Sequence, residues 1–255
     1  MAEKTKQKAV VLEQKQIAQG IYDLWIRVPQ AATVAQPGQF VALYCKDGTK
    51  LLPRPISICE ISDDREALRL VYRVVGGGTK ELSGLAEGEV IELTGPHGNG
   101  FAKQQKSVFL IGGGIGIPPM LELAKQTEGE KQIVLGYRDE LFLLDDFRKY
   151  GEVTIATEDG SAGVKGNVLD AIREKGLHAD VICACGPLPM LRALKLYAKE
   201  NNIECYVSLE ERMACGIGAC LGCVCKSTEK DAHTNVNNKR ICKEGPVFLA
   251  EEVDF

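Results

Sequence analysis

No apolar run in this 255-residue chain is long and unbroken enough to span a membrane. The best stretch, VFLIGGGIGIPPMLELA, is broken by glycines and prolines and carries Glu122. It reads as strand, turn and helix. A basic block or stripe is also missing. The 31 Lys and Arg residues stand against 35 Asp and Glu, a net charge of −4, so a nucleic-acid partner is not expected. The N-terminal MAEKTKQKAVVLEQKQ has charges but no apolar h-region and does not read as a signal peptide. These absences lead to the expectation of a cytoplasmic protein with no membrane partner.

Cysteine is abundant instead, at ten residues. In a reducing compartment such usage points to metal or redox chemistry rather than to disulfides. Cys45, Cys59, Cys183 and Cys185 lie among apolar residues and read as small buried hydrophobes. The other six crowd the end of the chain, four of them in MACGIGACLGCVC, from Met213 to Cys225. The spacing Cys215-x4-Cys220-x2-Cys223, with Cys242 much later, is the plant-type arrangement for a [2Fe–2S] cluster. Gly216, Gly218 and Gly222 let the backbone come close and turn its N–H groups toward negatively charged sulfur. Structural zinc usually shows two paired elements, and only Cys220 and Cys223 form one here. A Rieske centre needs two histidines, but His233 is alone in this region. A catalytic thiol would not need four neighbours. Cys225 stays open as a fourth ligand, because a strand starting at Cys223 would point both thiols to one side.

The remainder divides by periodicity into a multidomain β plus α/β protein. Residues 1–102 hold six strand candidates, AVVLEQ, YDLWIRV, QFVALYC, PISICEI, LRLVYRVV and EVIELTG, which suggest a six-stranded antiparallel barrel. One short helix, TKELSGL, interrupts them. Residues 103–209 alternate strands (SVFLIGG, QIVLGYR, VTIAT, DVICACG, IECYVSL) with helices (PPMLELAKQT, ELFLLDDFRKY, NVLDAIREK, LPMLRALKLYAKEN), as a parallel-sheet nucleotide domain does. Residues 210–255 form a small cluster region. It has too few apolar residues for a core of its own, so something other than burial should hold it together.

Three glycine-rich turns add nucleotide chemistry. Gly76, Gly77, Gly78 and Thr79 lead into the short helix, an anion site suited to pyrophosphate. Gly112, Gly113, Gly114 and Gly116 follow a strand and open a helix, although Ile117 stands where a full dinucleotide fingerprint has its third glycine. Cys185, Gly186 and Pro187 sit at another strand end, where open α/β sheets form their ligand crevice. Arg54 and Ser57, in LLPRPISI, are polar groups in an apolar stretch.

In this order, R-x-x-S, GGG-T, GGGIGIPP and C-G-P resemble the ferredoxin–NADP reductase superfamily. The added C-x4-C-x2-C and the ending RICKEGPVF resemble, within it, the electron-transfer subunits of NAD-linked, class 1B dihydroorotate dehydrogenases. The resemblance covers essentially the whole chain. It implies that Arg54, Pro55, Ile56 and Ser57 hold FAD, with Ile56 in place of the usual stacking aromatic. It implies that Val71, Tyr72 and Arg73 contact the flavin and that Gly78 and Thr79 take the pyrophosphate. Gly113, Gly114, Gly116, Cys185, Gly186 and Pro187 would serve NAD, an exchangeable substrate. Ribose contacts are expected at Tyr137 to Glu140, where Asp139 and Glu140 favour NAD and Arg138 favours NADP. The resemblance also favours Cys242 over Cys225 as fourth ligand.

Electron counting then orders the cofactors. Nicotinamide exchanges two electrons as a hydride, a [2Fe–2S] cluster carries one, and a flavin handles either, so it sits between them. Nothing in the sequence resembles a dihydroorotate site with a base. The resemblance supplies an FMN-bearing catalytic subunit, in a two-plus-two heterotetramer that serves pyrimidine (UMP) biosynthesis. His97, in GPHGNGF, reads as a turn residue rather than a base. The alternatives are the flavin/[2Fe–2S] subunit of another NAD(P)H-dependent enzyme (a ferredoxin–NADP oxidoreductase or a hydrogenase diaphorase) and a non-enzymatic iron–sulfur sensor.

Overall fold

A computed structural model describes residues 6–230 and 235–255. The first five residues of the N-terminal stretch and His233 lie outside the described residues. Six strands close an antiparallel barrel: β1 (Gln7–Ala18), β2 (Ile21–Arg27), β3 (Phe40–Tyr44), β4 (Arg54–Ile61), β5 (Ala67–Arg73) and β6 (Val90–His97). Their order is β1-β2-β5-β4-β3-β6. Alternate side chains fill the interior, as the two-residue period of a strand requires. Leu24, Ile26, Leu43, Ile58, Leu68, Leu70 and Leu93 are fully buried there. Helices α1 (Pro29–Ala32) and α2 (Gly77–Leu82) add Ala31, Ala32 and Leu82 to the same core.

The outward faces of β4 and β5 are not solvated. Cys59 and Val71 belong to a second core, shared with the next part of the chain. That part is a sheet of β7 (Val108–Gly113), β8 (Lys131–Tyr137), β9 (Val153–Thr157), β10 (Val164–Lys165), β11 (Val181–Cys185) and β12 (Glu204–Ser208), all parallel. Helices α3 (Pro119–Gln126) and α4 (Leu144–Arg148) cover one face, and α5 (Val168–Lys175) and α6 (Leu188–Asn201) the other. Strand order is β10-β9-β8-β7-β11-β12, so the winding reverses between β7 and β11, the point where such sheets bind ligands. No helix among the described residues is long and apolar enough to cross a membrane.

The cysteine tail adds β13 (Val224–Ser227), β14 (Asn238–Arg240), β15 (Val247–Leu249) and β16 (Val253–Asp254). Strands β14, β13 and β16 make a small sheet, while β15 joins the edge of the large sheet, antiparallel to β12. Burial therefore does hold the tail, on a neighbour's core. Cys223, Ile241, Cys242, Phe248, Ala250 and Val253 are buried in one cluster with Leu194, Ala198 and Val207.

Two local expectations change. ELFLLDDFRKY becomes helical only at Leu144, because Leu143 takes a left-handed backbone (φ 60°) and Phe142 turns into the core, its carbonyl accepting from the Tyr137 hydroxyl at 2.9 Å. Cys59, Cys183 and Cys185 are buried as expected, but Cys45 is half-buried just beyond β3, its thiol donating to the Gly78 carbonyl.

The barrel and the parallel sheet are clamped together by charge. Buried Arg69 donates to Asp23 (2.8 and 2.9 Å), to Glu60 (3.1 Å) and to Asp146 on α4 (3.0 Å). On α3, the buried Glu122 carboxylate accepts the Ile61 N–H at 2.7 Å.

Candidate cofactor sites

A cleft of about 940 Å³ opens between the barrel, the glycine turn after β7 and the start of the tail. Arg54, Pro55, Ile56 and Ser57 line it from β4, and Val71, Tyr72 and Arg73 from β5. Thr79 lines it from α2. Gly78 stands behind the Arg54 guanidinium, so close that a Cβ there would collide with it. A cation thus lies against the N-terminus of α2, whose first N–H groups have no intrahelical acceptor. Thr79 Oγ1 accepts from the N–H of Val75 (2.9 Å) and Gly76 (3.2 Å) and fixes the turn. The Arg54 guanidinium also donates to the Leu52 carbonyl. The result is a preformed anion corner at one end of an otherwise apolar cleft.

Tyr72 is held from behind: its hydroxyl donates to Gln14 at 2.9 Å, and its ring stacks on Tyr22 at 6.0 Å. Burial raises its phenol well above the ordinary value. Ile56 is buried and offers an aliphatic wall where an aromatic ring is absent.

The six residues assigned to the nicotinamide nucleotide form a second group beside the cleft. A Cβ on Gly116 would run into the Cys185 carbonyl and the Gly186 N–H, and one on Gly113 into Met190 and Pro187. Gly186 approaches Gly113 in the same way. The ends of β7 and β11 therefore meet backbone to backbone, which only glycine permits. Gly114, at φ +53°, has open space beside it, and Ile115 reaches from this turn into the cleft. Burial pushes the Cys185 thiol far up, so it is a neutral thiol at the sheet's switch point.

The structure also collects the tail cysteines. Cys215 Sγ accepts N–H groups from Ala219 (3.3 Å), Cys220 (3.4 Å) and Ile217 (3.5 Å). Cys220 Sγ accepts from Gly222, and Cys223 Sγ from Cys242, each at 3.4 Å. Burial opposes ionisation of Cys215, but these N–H groups outweigh it and bring the thiol down to about 7. The Cys242 thiol donates to Cys223, pulling Cys223 down to about 6 and pushing Cys242 up. Among the described residues no three His, Cys, Asp or Glu side chains converge on a single metal ion. The thiols close up as two pairs, Cys215 with Cys220 and Cys223 with Cys242. Four cysteine sulfurs among N–H donors are the donor set a [2Fe–2S] cluster takes. Cys225 stands apart: burial pushes it up to about 11, and its thiol donates to the Lys239 carbonyl.

Sequence reasoning missed part of the cleft. Ser208 to Met213 and Pro246 form its far wall, placing residues that flank Cys215 and Cys242 opposite β4 and β5. The only signal was their position between the last parallel strand and the first cluster cysteine. Glu140 has a contact the sequence did not show: its carboxylate accepts the Gln19 N–H at 2.8 Å and ties this loop to the barrel. His97 is no turn residue. It ends β6, 2% exposed, with its ring on Phe40 (5.4 Å) and Nε2 at 2.9 Å from Thr94 Oγ1.

Comparisons with known proteins identify the family. Residues 8–101 match the oxidoreductase FAD-binding domain, and residues 210–254 match the iron-sulfur cluster binding domain of dihydroorotate dehydrogenase B. The dihydroorotate dehydrogenase B (NAD(+)) electron transfer subunit of Caldanaerobacter subterraneus subsp. tengcongensis is 44% identical, over 98% of this chain and 99% of its own. The same subunit of Fusobacterium nucleatum is 43% identical, over 96% and 97%. Among solved structures, the NADH-dependent reduced ferredoxin-NADP oxidoreductase superposes with a TM-score of 0.86 at 31% identity, over 96% of this chain and 89% of that one. Phthalate dioxygenase reductase shares the fold over 98% of both chains, with a TM-score of 0.63 at 16% identity. This chain belongs to the family of dihydroorotate dehydrogenase B (NAD(+)) electron transfer subunits.

Proposed function

We propose that this chain is the electron-transfer subunit of an NAD-linked dihydroorotate dehydrogenase. In this reading it passes electrons from the FMN of a catalytic subunit, by way of a [2Fe–2S] cluster and FAD, to NAD⁺ in pyrimidine biosynthesis. One observation carries the reading. A single cleft joins the Arg54 anion corner, Ile115 of the glycine turn, and Met213 and Pro246 beside the cysteines. When bound, FAD supplies the exchange between a two-electron hydride carrier and a one-electron cluster.

The chain's own residues bind and orient. Arg54, Gly78 and Thr79 would take the FAD pyrophosphate, and Pro55, Ile56, Ser57, Val71, Tyr72 and Arg73 the rest of the flavin. Gly113, Gly114, Gly116, Cys185, Gly186 and Pro187 would admit the nicotinamide nucleotide close to backbone. Asp139, two residues beyond β8, would offer a carboxylate to a ribose hydroxyl. Cys215, Cys220, Cys223 and Cys242 would hold the cluster. The parts would divide as 1–102 for FAD, 103–209 for NAD and 210–255 for the cluster.

The exposed Cys220 is flanked by exposed Ile217 and Leu221, an apolar rim suited to an FMN-containing catalytic subunit in a two-plus-two heterotetramer. A reducing cytoplasm suits ten cysteines. A role in an NADH-dependent ferredoxin–NADP oxidoreductase has structural likeness behind it, but the relatives that match at near full length favour the dihydroorotate reading. Co-expression with a candidate catalytic subunit tests the proposal, assayed as dihydroorotate-dependent NAD⁺ reduction. Full activity without this chain, or none with it, would refute it.

A further inference from the structure

Arg240 ends β14, two residues before Cys242, and is 8% exposed. Its Nη1 donates to the Gly218 carbonyl at 3.1 Å, in the middle of the loop that carries Cys215 and Cys220. Its Nε donates to Glu244 Oε2 at 2.9 Å, and Nη2 donates to Glu244 Oε1. The same carboxylate accepts the Arg240 backbone N–H at 2.7 Å. The Arg240 carbonyl in turn accepts the N–H groups of Lys243 (3.0 Å) and Glu244 (2.8 Å). One guanidinium therefore staples the turn bearing Cys242 to the loop bearing Cys215 and Cys220.

A staple alone does not need a charge. Burying an ion pair costs desolvation that a neutral contact avoids, and well-packed neutral residues often replace such pairs without loss. The charges have a different use beside a cluster. Four thiolates give it net negative charge, and one-electron reduction adds one more. Reduction potentials of such centres respond to net charge, to hydrogen bonds and to solvent exposure. A cation held where water is scarce acts on that added charge more strongly than one in solvent. Glu244, bound to the same guanidinium, acts in the opposite sense.

We propose that Arg240 and Glu244 are positioning residues that set how readily the cluster accepts its electron. Arg240 favours the reduced cluster and Glu244 restrains it, while together they hold the two cysteine-bearing segments in register. The inference rests on Cys215, Cys220, Cys223 and Cys242 being the ligands.

The test is an EPR-monitored redox titration of the purified, cluster-bearing chain. Arg240→Gln should disfavour reduction by about tenfold or more, about 59 mV downward for one electron. Glu244→Gln should favour it by about as much, and the double substitution should fall between. Shifts of the same sign, or both under about threefold, would overturn the proposal, since a purely mechanical staple has no reason to move the midpoint in opposite directions. If Arg240→Gln fails to retain the cluster, Glu244→Gln decides alone, and an unmoved or lowered midpoint overturns it. The cysteine assignment is checked separately by visible absorption: a cluster retained in Cys242→Ser would sink that assignment whatever the midpoints do.

Discussion

Gly78→Ala should weaken FAD binding without weakening the fold. The new methyl group would occupy the space of the Arg54 guanidinium, which must swing away from the N-terminus of α2. A hydrogen bond to a charged group contributes about 1.5–3 kcal/mol, so losing one to the pyrophosphate corresponds to about a 10- to 150-fold rise in the FAD dissociation constant. The backbone offers no counter-effect, because Gly78 lies in a helix and outside the left-handed region. Alanine there should even add about 0.4–1 kcal/mol by restricting the unfolded chain. Gly77→Ala is the internal control: its Cβ would meet only the Lys50 stem, at an ordinary 3.5 Å. The assay is flavin titration of the deflavinated chain, with its thermal midpoint measured alongside. Equal FAD affinity in Gly78→Ala and wild type would refute the anion corner. So would equal losses in Gly77→Ala and Gly78→Ala.

Cys242→Ser should abolish or disturb the visible absorption of the cluster, and Cys225→Ser should leave it intact; the reverse pattern would reassign the fourth ligand. Gly116→Ala drives a methyl group into the Cys185 carbonyl, a collision with backbone that cannot swing aside. Because about 1 Å of misplacement can cost about 100-fold in rate, NADH-driven flavin reduction should slow by that order in stopped flow, with FAD content unchanged. Burial raises the Glu122 carboxyl above its ordinary value, despite the Ile61 N–H and Gln126 that hold the carboxylate. A raised folded pKa contributes stability below the unfolded value, about 4.3, and that stability is lost as pH rises through the folded value. Glu122→Gln should therefore raise the melting temperature at pH 7, and the gain should shrink toward pH 4. A gain independent of pH would contradict the burial argument.

The barrel and the parallel sheet were readable because their signals are local. Strands such as ALRLVYR and VICAC announce themselves by apolar content, and each glycine turn sits beside its own strand. What was unreadable depends on distant partners. Gln19 claims Glu140 across 121 positions, which no local pattern reveals. The three residues of β15 are too few to show a period, yet they decide where the tail goes. The contact of Arg240 with the Gly218 carbonyl spans 22 positions and is equally invisible to local pattern. The cysteine spacing is a local signal for the opposite reason: one loop carries three of the four proposed ligands.

The pairing of β15 with β12, Tyr206 to Leu249 and Ser208 to Val247, has a kinetic consequence. A ferredoxin-like module on a flexible linker must diffuse back to its reductase before each transfer, and its rate follows linker length and solvent viscosity. Here the module is knitted into the reductase's own sheet. On the proposed reading, the intramolecular hop would cover a constant gap, indifferent to viscosity and to protein concentration.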